Sequence, residues 1–356
     1  MTDLRPRSRA RHAVSGLALL GVLLPLCGCA SEPVGGSSVP VTTPAGPQVL
    51  TVYSGRPKAL VGELLDRMGE ELGVKLEVRY GGNDPLAQQL AAEGPGSPAD
   101  LFLSQDAGAL GQLENRDMLA DVPDDARQTV PGAYRSASGK WVGVTARARV
   151  VLYDQRQVRQ HELPKGVDDL LLPRWRGKIG YAPANASWHS FVTALRVLRG
   201  EEAARTWLTR FRANNPRRYD TNSAIRDAVD AGKIALGLAN HYYWYEKAAE
   251  VGAAKLNVRV HHITGNDPAA LVNVTAVGIP RGADTELGAR AVRYLLSAGA
   301  QQYFADHLAE YPLLVGVSST KHQLPPLASI KGPDLNLNRL ASVQESLDLL
   351  TQTGLR

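Results

Sequence analysis

The sequence predicts an α/β protein of two lobes joined by extended hinge strands, with a ligand cleft between them. Three observations carry this. From residue 49 onward, short apolar strands alternate with helices whose apolar residues recur every three or four positions. Two extended runs, 141–153 and 269–280, exceed the roughly 5–6 residues of an ordinary strand and are long enough to pass from one compact body into another. The 356-residue chain, 44% hydrophobic and 21% charged, has the length for two cores and the composition of a folded soluble protein.

The elements follow in order. Arg5, Arg7, Arg9 and Arg11 form a basic n-region, residues 13–26 are apolar, and Leu26-Cys27-Gly28-Cys29 follows. That arrangement predicts an export signal over 1–28 and resembles a bacterial lipobox, which implies acyl chains on Cys29. Two or three chains, at about 0.8 kcal/mol per buried CH₂, anchor a protein stably. Residues 29–47, rich in Ser, Gly, Pro and Thr, read as a flexible tether. The expected location is the outer face of a bacterial cytoplasmic membrane. Residues 49–54 read as a strand. Leu60, Val61, Leu64, Leu65, Met68 and Leu72 mark a helix over 58–72 that Gly73 stops. A strand at 74–80, a helix at 85–93 and a strand at 99–104 complete the first βαβ units. After the run at 141–153 come a strand at 178–182, helices at 187–199, 201–211 and 222–231, and a strand at 234–239. Helices at 285–296 and 300–307 return to the first lobe. The expected division is 48–146 with 272–323 for lobe 1, and 147–271 with 324–356 for lobe 2.

Several chemistries are excluded. Cys27 and Cys29 are the only cysteines, so no disulfide framework, thiolate metal site or cysteine nucleophile occurs beyond residue 29. The net charge of +5 owes four positive residues to the N-terminal segment, leaving no basic stripe for nucleic acid. There is no G-x-S-x-G, G-x-G-x-x-G or phosphate-loop motif. His161-Glu162 is followed by Leu163, Pro164 and Lys165, which breaks the H-E-x-x-H pattern of zinc helices. His261 and His262 adjoin in an alternating run and face opposite sides. The expectation is a binding protein, monomeric, and no enzyme.

Asn240-His241-Tyr242-Tyr243-Trp244-Tyr245 is the most uneven segment, with four consecutive aromatic residues at a strand-to-helix junction. Three readings fit: an aromatic core, a stacking platform for an organic ligand, or two phenols converging on a hard cation. Deprotonating a phenol of pKa near 10 at pH 7 costs about 4 kcal/mol. A small trivalent cation such as Fe³⁺ offsets that cost most easily, and tyrosinate is an iron ligand in catalase.

The sequence resembles the ferric-ion-binding proteins of bacterial ABC iron importers, members of the type II periplasmic-binding-protein fold. The resemblance runs from about Val49 to Val317. It rests on T-V-Y-S-G-R from Thr51, S-P-A-D-L-F-L-S-Q-D from Ser97, R-A-R-V-V-L-Y-D from Arg147, G-Y-A-P-A-N-A-S from Gly180, N-S-A-I from Asn222 and N-H-Y-Y-W-Y from Asn240, in matching order and spacing. It implies a receptor that closes on Fe³⁺ and delivers it to a permease and its ATPase. It places the metal-binding tyrosinates at Tyr242 and Tyr243, and an anion-pairing arginine at Arg147 beneath a synergistic carbonate, phosphate or citrate. The amides facing that anion belong to Asn185, Ala186 and Ser187, with Asn222 and Asn240 as polar cleft residues. Arg149, in the same motif, reads as a solvated strand residue.

Three positions depart from the family pattern. Pro57 stands where many members have a histidine, Gln105 where some have a carboxylate, and Trp188 where others have a third tyrosine. Asp106 and His241 are the candidates to supply an extra metal ligand, and Arg56 to pair with an anion in the cleft. A second reading of the same fold is a receptor for an organic anion such as a phosphonate, sugar phosphate or dicarboxylate.

Overall fold

The computed structural model describes residues 48–356; the export signal, Cys29 and the tether lie outside the described residues. The first half runs β1 (Val49–Ser54), α1 (Lys58–Leu72), β2 (Lys75–Tyr80), α2 (Asn83–Glu93), β3 (Leu101–Ser104), α3 (Ala107–Asn115) and the short α4 (Asp124–Arg127). A fourteen-residue strand, β4 (Trp141–Asp154), leads out of it. The second half holds β5 (Ile179–Tyr181), α5 (Ala186–Arg199), α6 (Glu201–Ala213), β6 (Arg217–Arg218), α7 (Asn222–Asp230), β7 (Leu236–Asn240), α8 (Tyr242–Val251) and β8 (Val258–His261). β9 (Val272–Gly278) returns to the first half, followed by α9 (Thr285–Leu295), α10 (Ala298–Leu308) and β10 (Tyr311–Pro312). The last helix is α11 (Val343–Thr353).

The strand order is β2-β1-β3-β9-β4-β7-β5-β6, with β8 and β10 also pairing β4. β1 runs parallel to β2 and β3, as helical crossovers require. β4 belongs to both halves. Residues 141–148 pair with β9, and residues 149–154 pair with β7 and β8. Each half has its own core. Leu50, Val52, Leu64, Phe102, Trp141, Val274 and Phe304 lie in the first. Beyond Arg149 the strand alternates its faces. Val151 enters a core with Trp188, Phe191, Trp207 and Phe211, while Val150 and Leu152 enter a smaller one with Ile225 and Val229. Gly237 allows α7 to lie directly on β7, since a Cβ there would stand 2.4 Å from Ile225.

Packing departs from the expected division at the C-terminus. Residues 324–341, expected with lobe 2, lie against the first core: Ile330, Leu337 and Leu340 are part of it, and Trp141 Nε1 donates to Asn338 Oδ1 at 2.8 Å. α11 packs on lobe 2, where Leu349, Leu350 and Leu355 join its core and Thr193 and Ser346 hydroxyls meet at 2.7 Å. The chain therefore passes between the halves a third time, near Ser342. Residues 324–341 carry leucines at irregular spacing among prolines and asparagines, so no period reveals which core receives them. Among the described residues no helix is long and apolar enough to cross a membrane.

Candidate functional site

β4 aims two arginines to one side where its partners change. Arg147 and Arg149 are two residues apart, so a strand presents them on the same face. Both are buried, with 4% and 5% exposure. Arg147 Nη2 donates to the carbonyls of Gln105 and Val274, leaving Nε without a partner. Arg149 Nη1 donates to the Ser187 carbonyl at 3.0 Å and hydroxyl at 3.3 Å, leaving Nη2 without a partner. Neither forms an ion pair among the described residues. Burial pulls Arg149 down to about 9, still cationic at neutral pH. Its guanidinium lies 5.0 Å from the Phe191 ring centroid and 6.0 Å from that of Trp188. A buried, unpaired arginine is costly unless an anion satisfies it.

The cavity beside them has a volume of about 20 Å³ and is lined by Arg147, Arg149, Gln105, Asp106, Ser187 and Asn240, among others. That is room for water-sized groups, so a bulky anion must extend into the open cleft. Asn185 caps α5, its Oδ1 accepting the Ser187 amide at 2.9 Å. That amide, expected to face an anion, is thus engaged by the cap, while Ala186 and the rest of Ser187 line the cavity. Asn222 does not line it; its Nδ2 donates to Ser187 Oγ at 3.0 Å and fixes that side chain. Asp106 caps α3, Oδ1 accepting the amides of Gly108 and Ala109 at 2.9 and 3.2 Å. Burial raises its pKa, with Arg147 and the two amides opposing. Burial and Asp106 together push nearby Asp84 up to about 6.

The phenols of Tyr242 and Tyr243 do converge. Neighbouring residues of a helix ordinarily diverge, yet at the first turn of α8 these ring centroids stand 4.3 Å apart. Tyr242 is buried and Tyr243 half-buried. Burial drives the Tyr242 pKa well above 10 and Tyr243 adds to it, while Arg147 and Arg56 pull the other way. Tyr242 is therefore protonated until a cation arrives.

Two expected cleft residues have other partners. Arg56 is 1% exposed, and its Nη2 meets Glu310 Oε1 at 2.5 Å. The protein's own carboxylate occupies the place expected for an external anion, and Thr145 donates to the second Glu310 oxygen. Arg56 still acts through space, lowering the cost of ionising Tyr242. His241, expected as a possible metal ligand, is fully buried, with Nδ1 accepting the Ala148 amide at 3.2 Å and Nε2 against the Ala309 carbonyl at 2.8 Å. No lone pair is left for a metal, and burial drops its pKa to about 3. Trp188 points away from the cleft into an aromatic core with Tyr181, Phe191 and Phe211.

Sequence reasoning missed Arg149, Glu310 and Glu246. The R-A-R spacing was the available signal for Arg149. Glu310 gave none, because its partner lies 254 positions away. Glu246 sits one turn along α8 from Tyr242, and burial with Glu310 pushes it up to about 7. Among the described residues no three His, Cys, Asp or Glu side chains cluster as a metal site.

Two phenols and two guanidinium groups without ion-pair partners among the described residues, set where one strand joins two α/β halves, are the groups of a ligand-binding site. The model of the bacterial extracellular solute-binding protein family matches residues 96–336. The chain belongs to that family, whose members are transport proteins and not enzymes. It is 30% identical to the Fe(3+)-binding periplasmic protein of Serratia marcescens, over 86% of this chain and 91% of that one. It is 31% identical to the major ferric iron-binding protein of Neisseria meningitidis serogroup B, over 86% and 93%. Iron-bound HitA from Pseudomonas aeruginosa superposes with a TM-score of 0.80 at 31% identity, over 86% of this chain and all of that one. A Trichodesmium protein in complex with iron and citrate superposes at 0.72 with 26% identity, over 86% and 100%. The fold is that of the type II periplasmic binding proteins.

Proposed function

We propose that this protein is the exported, lipid-anchored receptor of an ABC importer, which captures Fe³⁺ and hands it to a permease and its ATPase. The observation that carries the reading is the converging Tyr242–Tyr243 pair, with Arg56 and Arg147 close enough to favour ionised Tyr242. Names of relatives that bind ferric iron support it. Two tyrosinates leave one positive charge on Fe³⁺, and Arg147 with Arg149 adds two more. An oxyanion such as carbonate, phosphate or one arm of citrate balances that excess through charge-assisted hydrogen bonds. Asp106, which lines the same cavity, retains one oxygen for the metal or its waters. Lobe 1, with residues 324–341 added to its expected segments, closes on lobe 2 about the strands that join them. Closure requires that the ligand bind the closed state better than the open one.

Titration of the apo-protein with ferric nitrilotriacetate tests this. A visible phenolate-to-iron absorption band is expected in the native protein, and its loss in the variant carrying Tyr242→Phe and Tyr243→Phe. No band in the native protein, or one that survives both substitutions, rejects the reading. The two unpaired arginines also suit a metal-free organic anion. Tight uptake of a phosphonate or dicarboxylate by iron-free protein with no ferric band would favour that alternative.

A further inference from the structure

The residue before the phenol pair is tied in five ways to the segments around it. The His241 backbone amide donates to the Ala148 carbonyl at 3.0 Å, and its Nδ1 accepts the Ala148 amide at 3.2 Å. Because Nδ1 accepts, the ring proton resides on Nε2, which donates to the Ala309 carbonyl at 2.8 Å. The ring stacks on Tyr311 at 4.6 Å and meets Tyr242 edge-on at 5.8 Å. Ala309 is a left-handed, non-glycine residue with φ 50°, at the end of α10. Its two successors hold the same region: Glu310 binds Arg56 and Thr145, and Tyr311 pairs with Ala146 on β4. Residues 309–311 thus grip the start of α8 and β4 together.

We propose that His241 is the positioning residue of the metal site: a neutral imidazole that pins the Tyr242–Tyr243 pair to β4 and to the end of α10, so that the phenols are aligned before the metal arrives. The proposal rests on the iron reading above and extends it to a residue that touches no metal. It works through Tyr242, whose backbone follows directly from the pinned residue. Ala148 is the last residue of β4 to pair with β9, and Arg149 the first to pair with β7. The pin is therefore driven in where the two halves of the sheet part company. Outer residues that orient a ligand typically alter metal affinity by about 10- to 100-fold.

Two substitutions separate this role from simple packing. His241→Phe keeps a ring against Tyr311 and removes both hydrogen bonds. His241→Gln restores one donor and one acceptor. With ferric nitrilotriacetate as the probe, His241→Phe is expected to weaken binding by roughly 10- to 100-fold and to shift the phenolate-to-iron band. His241→Gln should recover most of both. A His241→Phe protein with native affinity and an unmoved band overturns the proposal, as does His241→Gln no better than His241→Phe. Should His241→Phe not fold, ¹⁵N imidazole spectra of the native apo-protein decide: a proton on Nε2 and none on Nδ1 supports the pin, and the reverse tautomer refutes it. A native protein without any ferric band would defeat the iron reading, while the tautomer measurement would still test the pin.

Discussion

Two aromatic clusters in the same half of the molecule differ in what borders them. Tyr181, Trp188, Phe191, Trp207 and Phe211 pack at centroid distances of 4.9–5.8 Å inside an apolar core. Tyr242 and Tyr243 are closer still, at 4.3 Å, but are bordered by Arg56 and Arg147. Aromatic density alone does not separate packing from function; neighbouring fixed charge does. The clusters also cooperate. The sealed one forms the surface over which Arg149 lies, so the core of the second half supports the cationic wall of the cavity.

Breaking each cluster in turn gives the largest contrast. The paired substitution Tyr242→Phe and Tyr243→Phe should lower iron affinity by at least on the order of 1,000-fold, more than loss of an outer residue would, with little change in the denaturation midpoint. Phe211→Ala should do the reverse. A cavity in that core costs about 3–5 kcal/mol, read by urea unfolding, while the folded fraction retains its iron affinity.

Acidity sharpens the same contrast. The Tyr242 pKa lies well above 10, so in the proposed iron site the metal would have to displace its proton. If the Tyr243 proton leaves too, affinity should fall by about two decades for each pH unit lowered between 8 and 6. Competition titrations would show this slope, and the double phenylalanine variant should lack it.

Arg149→Met tests the link between the clusters. Losing a charge-assisted hydrogen bond of about 1.5–3 kcal/mol should weaken phosphate binding roughly 10- to 100-fold, measured by calorimetry on iron-free protein. Folding stability should hold or rise, because a buried unpaired cation is replaced by an apolar side chain.

The smallest effect lies at Asp84, near Asp106. The Asp84 pKa of about 6 exceeds its usual 3.8. The folded state therefore holds the proton more tightly, and stability falls as pH rises from about 4 to about 6. Asp84→Asn should raise stability above pH 6 by up to about 2 kcal/mol and leave it unchanged below pH 4. Thermal melts at pH 4 and pH 7.5 would show the crossover.

The lobe architecture was legible because its signals are periodic. The leucines of α1 and the unusual length of the extended run in β4 need no knowledge of distant contacts. The aromatic run at 242–245 was visible as well, but its adjacency gave no sign that two rings converge or that Trp188 turns into a core. What stayed hidden depends on residues far apart in sequence. The Arg56–Glu310 pair, the His241–Ala309 bond and the return of residues 324–341 to the first core arise only when the chain has closed. Arg149 is the instructive middle case. Its spacing from Arg147 placed both on one face, yet whether that face meets water or a sealed cavity is decided by α5.

The change of partners along β4 has a mechanical consequence. Arg147 stands opposite Asn273 on one neighbouring strand, and Arg149 opposite Asn240 on another. Two guanidinium groups on a single strand therefore straddle the junction about which the halves would turn. In the proposed receptor, flexing that strand would alter their separation, so an oxyanion bridging them would gauge the opening angle and signal to the metal site whether the jaws have shut.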